Sequence, residues 1–154
     1  MQNIDEKSFI FGSIFTLANR LQILGDKFDK NITIKQWLLL AGISTYTEYA
    51  PTLSEVAILI GNSRQNVKKM ALILEREGFL SLVKDSHDAR ILRLSLTKKC
   101  TDYFDNREHK EQVFLDTLFR GLDPVLMNGL YEGIIKLTNN IEEMENQYAQ
   151  EEKE

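Results

Sequence analysis

The sequence predicts a mainly α chain that carries one small β-hairpin. Three observations support this reading. Apolar residues recur at helical spacing through most of the 154 positions. Two boxes, Thr33 with Gln36 and Thr52 with Glu55, mark helix starts, because a threonine hydroxyl and the Gln or Glu three residues on satisfy each other's free backbone N–H groups. Alternation with a period of two is clear over one short stretch, residues 91–96.

Length and composition suit a single domain over 1–154, with 43% hydrophobic and 27% charged residues, ordinary for a folded globular chain and unlike a disordered one. No apolar run approaches the roughly 18 to 20 residues of a membrane span, and the opening MQNIDEKSF has the wrong charge for a signal peptide, so a cytoplasmic location without membrane partners is expected. One cysteine, Cys100, excludes an internal disulfide framework, and with only His87 and His109 beside it no metal site is expected.

A first amphipathic helix spans about 8–29, with Phe11, Ile14, Phe15, Ala18 and Leu21 on one side. Thr33 caps a second, entering Trp37, Leu38, Leu40 and Ala41 as its apolar positions and stopping between Gly42 and Thr47. Thr52 caps a third, short helix that buries Leu53, Val56, Ala57 and Ile60. Gly61 ends it, because positive φ costs glycine little. Ser63 caps again almost at once, and Val67, Met70, Ala71 and Leu74 then fall at i, i+3, i+4, i+7. Two short helices separated by a glycine turn of this length form a helix-turn-helix.

Gly78 closes the fourth helix. Phe79, Leu80, Leu82 and Val83 read as one strand, KDSHDA as a turn, and Ile91, Leu92, Leu94 and Leu96 as the return strand of a hairpin, or wing. Thr97 caps a helix running to about Arg120, with Cys100 and Tyr103 or Phe104 among its apolar positions. Asp123 followed by Pro124 opens the last helix, whose stripe Leu126, Leu130, Ile134, Leu137, Ile141 and Met144 is too long for the core left to cover. Beyond Met144 the polar tail is expected to fray.

Net charge is -4, yet residues 61–99 hold nine Lys or Arg against four acids, a local +5, while the remainder carries -9. Such asymmetry aims one face of an acidic protein at an anionic partner. With Val67, Met70, Ala71 and Leu74 turned inward, Arg64, Gln65, Asn66, Lys68 and Lys69 face out. Ser63 combines capping with phosphate contact. Arg64 and Gln65 suit base edges, to which the Asn66 amide can add, and Lys68 and Lys69 suit the phosphate backbone. At the hairpin tip Arg90 is placed for a minor groove, oriented by Asp85 or Asp88.

These stretches together resemble the MarR family of winged helix-turn-helix transcriptional regulators: ITIKQWLLL at 32–40, TLSEVAILIGNSRQNVKKMALILEREGFL at 52–80 and DSHDARILRLSLT at 85–97. The resemblance implies a winged helix-turn-helix lobe over 33–97, and N- and C-terminal helices, 8–29 and 122–147, that intertwine in a homodimer. It implies paired modules on a pseudo-palindromic site in double-stranded DNA, and a repressor released by a small aromatic or anionic effector. It also places Ser63, Arg64, Gln65, Asn66 and Lys68 at the start of the recognition helix and makes Asp88 with Arg90 the wing pair. His87 and Ala89 depart from the family, which commonly has arginines there, and Cys100 stands where glycine is usual. A cysteine beside Lys98 and Lys99 raises an oxidant-sensing role against simple packing.

The thinned wing motivates an alternative, a dimeric ligand-binding or protein-interaction module of the same fold that has lost DNA binding. An enzyme is not expected. The sequence offers no metal-ligand cluster, no glycine loop to cradle phosphate and no set of nucleophile, base and orienting residue, so no catalytic residue and no cofactor is assigned.

Overall fold

The computed structural model describes residues 5–152. The elements follow in the order α1 (Glu6–Phe28), α2 (Ile34–Ser44), α3 (Leu53–Leu59), α4 (Arg64–Arg76), β1 (Leu80–Lys84), β2 (Leu92–Leu96), α5 (Lys98–Leu118) and α6 (Pro124–Glu151). The described residues form two compact units, divided between Asn106 and Arg107.

In the first unit the helix starts lie where their caps dictate. Thr33 and Thr52 each form a complete capping box, with Gln36 and Glu55 respectively. Asp5 opens α1 by accepting from the N–H groups of Lys7 and Ser8. The end of α1 meets the start of α2 at close range. Asp26 Oδ1 accepts from Ile34 N at 2.7 Å, and a Cβ on Gly25 would stand 2.8 Å from Ile34 Cδ1, so only glycine lets the two helices approach this far.

The core gathers α2, α3, α4, the hairpin and the start of α5. It contains Ile32, Leu39, Leu40, Ile43, Leu53, Val56, Ala57, Val67, Ala71, Leu74, Phe79, Leu80, Leu94 and Cys100. Both aromatics offered by the sequence at the start of α5, Tyr103 and Phe104, pack against it, as does Trp37. The strands pair antiparallel with Leu80 opposite Leu96 and Lys84 opposite Leu92. Residues before α3 extend the hairpin: Thr52 bridges Arg93, and Leu94 N donates to Pro51 O at 2.9 Å. A two-stranded ribbon is marginal by itself, and this third segment together with Leu94 in the core anchors it.

Two expectations need correction. Leu38 is 43% exposed, and Leu39, Leu40 and Ile43 take the core-facing side of α2. Five consecutive apolar residues, Trp37 through Ala41, blur the helical period there, so the sequence did not separate the faces. The tail beyond Met144 does not fray but stays helical to Glu151, in keeping with the helix preference of Glu, Gln and Ala.

The second unit comprises the remainder of α5 and α6. Arg107 pairs with Glu111 one turn on, Gly121 turns the chain at φ 86°, and Asp123 Oδ1 accepts from Leu126 N with Pro124 at the first helical position. Along α6 no described residue is buried, and the stripe Leu126, Leu130, Ile134, Leu137, Ile141 and Met144 lies exposed. Among the described residues no helix is long and apolar enough to cross a membrane.

Leu39→Ala is expected to destabilise the protein by about 2–5 kcal/mol in urea unfolding, because it empties a fully enclosed position. Leu38→Ala is expected to stay within about 0.5 kcal/mol of wild type, as exposed substitutions do.

Candidate nucleic-acid interface

The helix-turn-helix is locked by local chemistry. After α3, Asn62 N donates to Ala57 O at 2.9 Å and Gly61 adopts φ 65°, which turns the chain within three residues. Ser63 Oγ then accepts from Asn66 N at 3.2 Å to start α4. Asn62 adds a support that the sequence reading missed: its Oδ1 accepts from Ser63 N at 2.8 Å and from Asn66 Nδ2 at 3.2 Å. The Asn66 amide is therefore partly engaged within the turn.

Val67, Ala71 and Leu74 are fully enclosed, so α4 has one possible orientation, and the opposite side presents Arg64, Gln65, Asn66, Lys68 and Lys69 to solvent. The side chains of Arg64, Gln65, Lys68 and Lys69 form no hydrogen bond or ion pair with any described residue. Two other cations of the basic stretch are structural. Lys98 Nζ holds Asp102 at 2.7 Å, and Lys99 Nζ donates to Glu77 O at 2.6 Å while lying 4.9 Å from the centre of the Phe79 ring. Lys99 thereby closes the C-terminal end of α4 with a charge of favourable sign.

At the wing the two aspartates divide their work. Asp88 takes Arg90 in a fork, with Nε to Oδ1 at 3.0 Å and Nη2 to Oδ2 at 2.9 Å, and also accepts from Arg90 N at 3.0 Å. The Arg90 side chain remains 90% exposed. The geometry is thus that of a guanidinium oriented by a carboxylate yet open to a partner. The Asp88 carboxyl is held below its ordinary pKa, first by the Arg90 side chain and then by the Arg90 N–H. Asp85 does not touch Arg90. It pairs instead with Arg93, Nε to Oδ1 at 2.5 Å, and accepts from the N–H groups of His87 and Asp88 at 2.9 and 3.1 Å. These donors, led by the Arg93 guanidinium, bring its pKa down to about 2.

Arg93 escaped the sequence reading because it stood out only as a polar residue in an alternating strand. Its partner follows from register, which sets Arg93 opposite Val83 and so diagonally across from Asp85. Between the wing and the start of α4 lies an open cleft of about 270 Å³, lined by Thr52, Leu53, Ser54, Arg64, Ile91 and Leu92. Arg64 therefore forms part of the wall between α4 and the hairpin.

Cys100 lies fully enclosed at the start of α5, where its N–H donates to Thr97 Oγ1, and burial pushes the thiol up to about 11. A redox-sensing thiol needs exposure and thiolate character, and Cys100 has neither in this conformation. Packing is its role here. Cys100 is expected to resist alkylation in the native protein at pH 7.5 and to react fully once urea unfolds the chain; modification at the rate of a free thiol in the native state would contradict the burial.

The Asp85 pKa is lowered on folding, so its stabilisation is complete above the unfolded value of about 3.9 and is lost as pH falls through about 2. The difference in urea midpoint between wild type and Asp85→Asn should hold constant from pH 7 to about 5 and shrink as pH falls below about 4.

No protein-family model matches the chain, and no curated protein matches it in sequence. Solved structures do match in fold. A MarR protein from Peptoclostridium difficile superposes with a TM-score of 0.78 at 17% identity, covering 93% of this chain and 92% of its own. The PcaV transcriptional regulator from Streptomyces coelicolor, solved with its natural ligand, gives 0.75 at 17% identity over 90% of this chain and 98% of its own. MepR of S. aureus, solved as a DNA complex, gives 0.74 at 16% identity over 89% of this chain and 99% of its own. With six helices among the described residues, a two-stranded wing and a serine-capped α4, the chain has the winged helix-turn-helix fold of MarR-family transcriptional regulators.

Proposed function

We propose that the chain is a member of the MarR family and a sequence-specific regulator that binds double-stranded DNA. One observation carries the reading: Arg64, Gln65, Lys68 and Lys69 stand together on the outer face of α4 without partners among the described residues, beside a wing whose Arg90 is oriented and open. Groups that could have been neutralised internally have been left for something anionic. Arg64 and Gln65 read base edges in the major groove, and Asn66 contributes what its tie to Asn62 leaves free. Ser63, Lys68 and Lys69 bind phosphates, and Arg90, steadied by Asp88, enters the neighbouring minor groove.

The working unit in this reading is a homodimer on a pseudo-palindromic site in the cytoplasm. The apolar residues left exposed on α1, among them Phe11, Ile14 and Phe15, and the stripe along α6 are covered by a second copy. Each such side chain gains about 1.5–3 kcal/mol on full burial, so a dozen or so supply ample driving force for association. The protein acts as a repressor that a small aromatic or anionic effector releases; the ligand-bound PcaV structure lends support by analogy of fold.

Selection from a random duplex pool, followed by footprinting, should recover a site with two-fold repeated halves about one helical turn apart. Binding should weaken steeply with salt. Lys68→Ala should lower affinity for all sequences alike and reduce the salt slope by about 1, whereas Arg64→Ala should cost about 1–3 kcal/mol at the bases it reads and relax preference there. A tight dimer in sedimentation that retards no duplex at low salt would instead favour the interaction module. Leu130→Asp with Ile134→Asp should yield monomers of unchanged helicity.

A further inference from the structure

Arg93 is tied both to the wing and to the segment that leads into α3. Its Nη1 donates to Ala50 O at 2.8 Å, in the segment leading to α3. Its Nε holds Asp85 at 2.5 Å. Its backbone bridges Thr52, the cap of α3, and the following residue, Leu94, is fully enclosed in the core. Asp85, with a side chain only 10% exposed, passes the constraint on by accepting from the N–H groups of His87 and Asp88, the residues that shape the wing tip. Asp88 in turn forks onto Arg90.

A continuous path of hydrogen bonds thus runs from Ala50 O through Arg93, Asp85 and the turn N–H groups to Arg90. The near end is itself fixed. Thr52 and Glu55 satisfy each other's N–H groups, and Glu55 Oε1 accepts from Tyr49 OH at 3.0 Å. Thr52 also lines the cleft with Arg64, so the path begins beside the start of α4. The hairpin alone would twist and flap, since five residue pairs hold it and its far end is solvent-exposed.

We infer that Arg93 is a positioning residue for DNA recognition: its guanidinium, shared between Ala50 O and Asp85, sets where the wing tip and Arg90 stand relative to Arg64 and Lys68 on α4. The role rests on the DNA-binding reading and extends it. A planar fork with several donors suits a residue that must hold two acceptors at fixed angles, which lysine cannot reproduce.

The test uses the full-length protein and a duplex selected by wild type, comparing Arg90→Ala, Arg93→Met and the double variant by gel retardation and hydroxyl-radical footprinting. Arg93→Met should bind about tenfold more weakly, keep protection in the major groove and lose it at the flanking minor groove, matching Arg90→Ala. The double variant should be little weaker than either single one, because both remove the same contact. Amide exchange of His87 and Asp88 in Arg93→Met should quicken with or without DNA. Arg93→Lys, which keeps the charge and loses the fork, should fall between wild type and Arg93→Met, and it replaces Arg93→Met if that variant does not fold. Wild type binding with unchanged flanking protection in Arg93→Met or Arg93→Lys, or losses that simply add, would overturn the positioning role alone. Wild type protecting no duplex would overturn the DNA-binding reading and this inference with it.

Discussion

The burial of one side of α4 is the constraint on which the rest depends. Val67, Ala71 and Leu74 have no exposure, and they meet a core drawn from α2, α3, β1, β2 and the start of α5. Rotating α4 enough to hide Arg64 or Lys68 would expose these side chains and bring unpaired cations into an apolar interior, two costs of several kcal/mol each. The display of positive charge is therefore a by-product of packing. Nothing local to the cations holds them out; the opposite face of the helix does.

Around this helix the charged residues separate into two kinds. Lys98, Lys99 and Arg93 are used within the chain, closing a helix turn, a helix end and the base of the wing. Arg64, Lys68 and Lys69 have no partner among the described residues, and Arg90 is held by one carboxylate while almost wholly exposed. The acids of the wing follow the same logic. Asp85 and Asp88 would repel phosphate if free, but each spends its charge on an arginine and on turn N–H groups, so the wing presents oriented guanidinium rather than carboxylate. A chain with a net charge of -4 can thus still offer a locally cationic surface.

The start of α5 ties this lobe to α1. Tyr103 OH donates to the Asp29 carboxylate at the end of α1, and its ring packs edge-on against Phe79, 5.2 Å between centres. Cys100, one turn earlier, fills the core, and Lys99 reaches back to the end of α4. One helical turn of α5 therefore touches the end of α1, the core and the end of α4, which makes the five residues Lys99 to Tyr103 a structural junction and explains why a thiol here serves packing.

The sequence by itself determined the starts of α2 to α6, because caps act through the nearest three or four residues: Thr33, Thr52, Ser63, Thr97 and Asp123 all accept where their spacing requires, and Gly61 and Gly78 turn with positive φ. It also determined the outward face of α4, since a 3.6-residue period in an amphipathic helix leaves one choice. Where the period is blurred, as in the apolar run of α2, only packing decided that Leu39 rather than Leu38 goes inside. Tertiary structure alone decided the carboxylate partners in the wing. Asp85 and Asp88 both lie within five residues of Arg90, and it is strand register, a relation between residues eight apart, that carries Asp85 to Arg93, whose guanidinium also reaches Ala50 O. Local hydrogen bonds can be read along a chain, whereas contacts made across a sheet exist only once its strands have chosen their pairing.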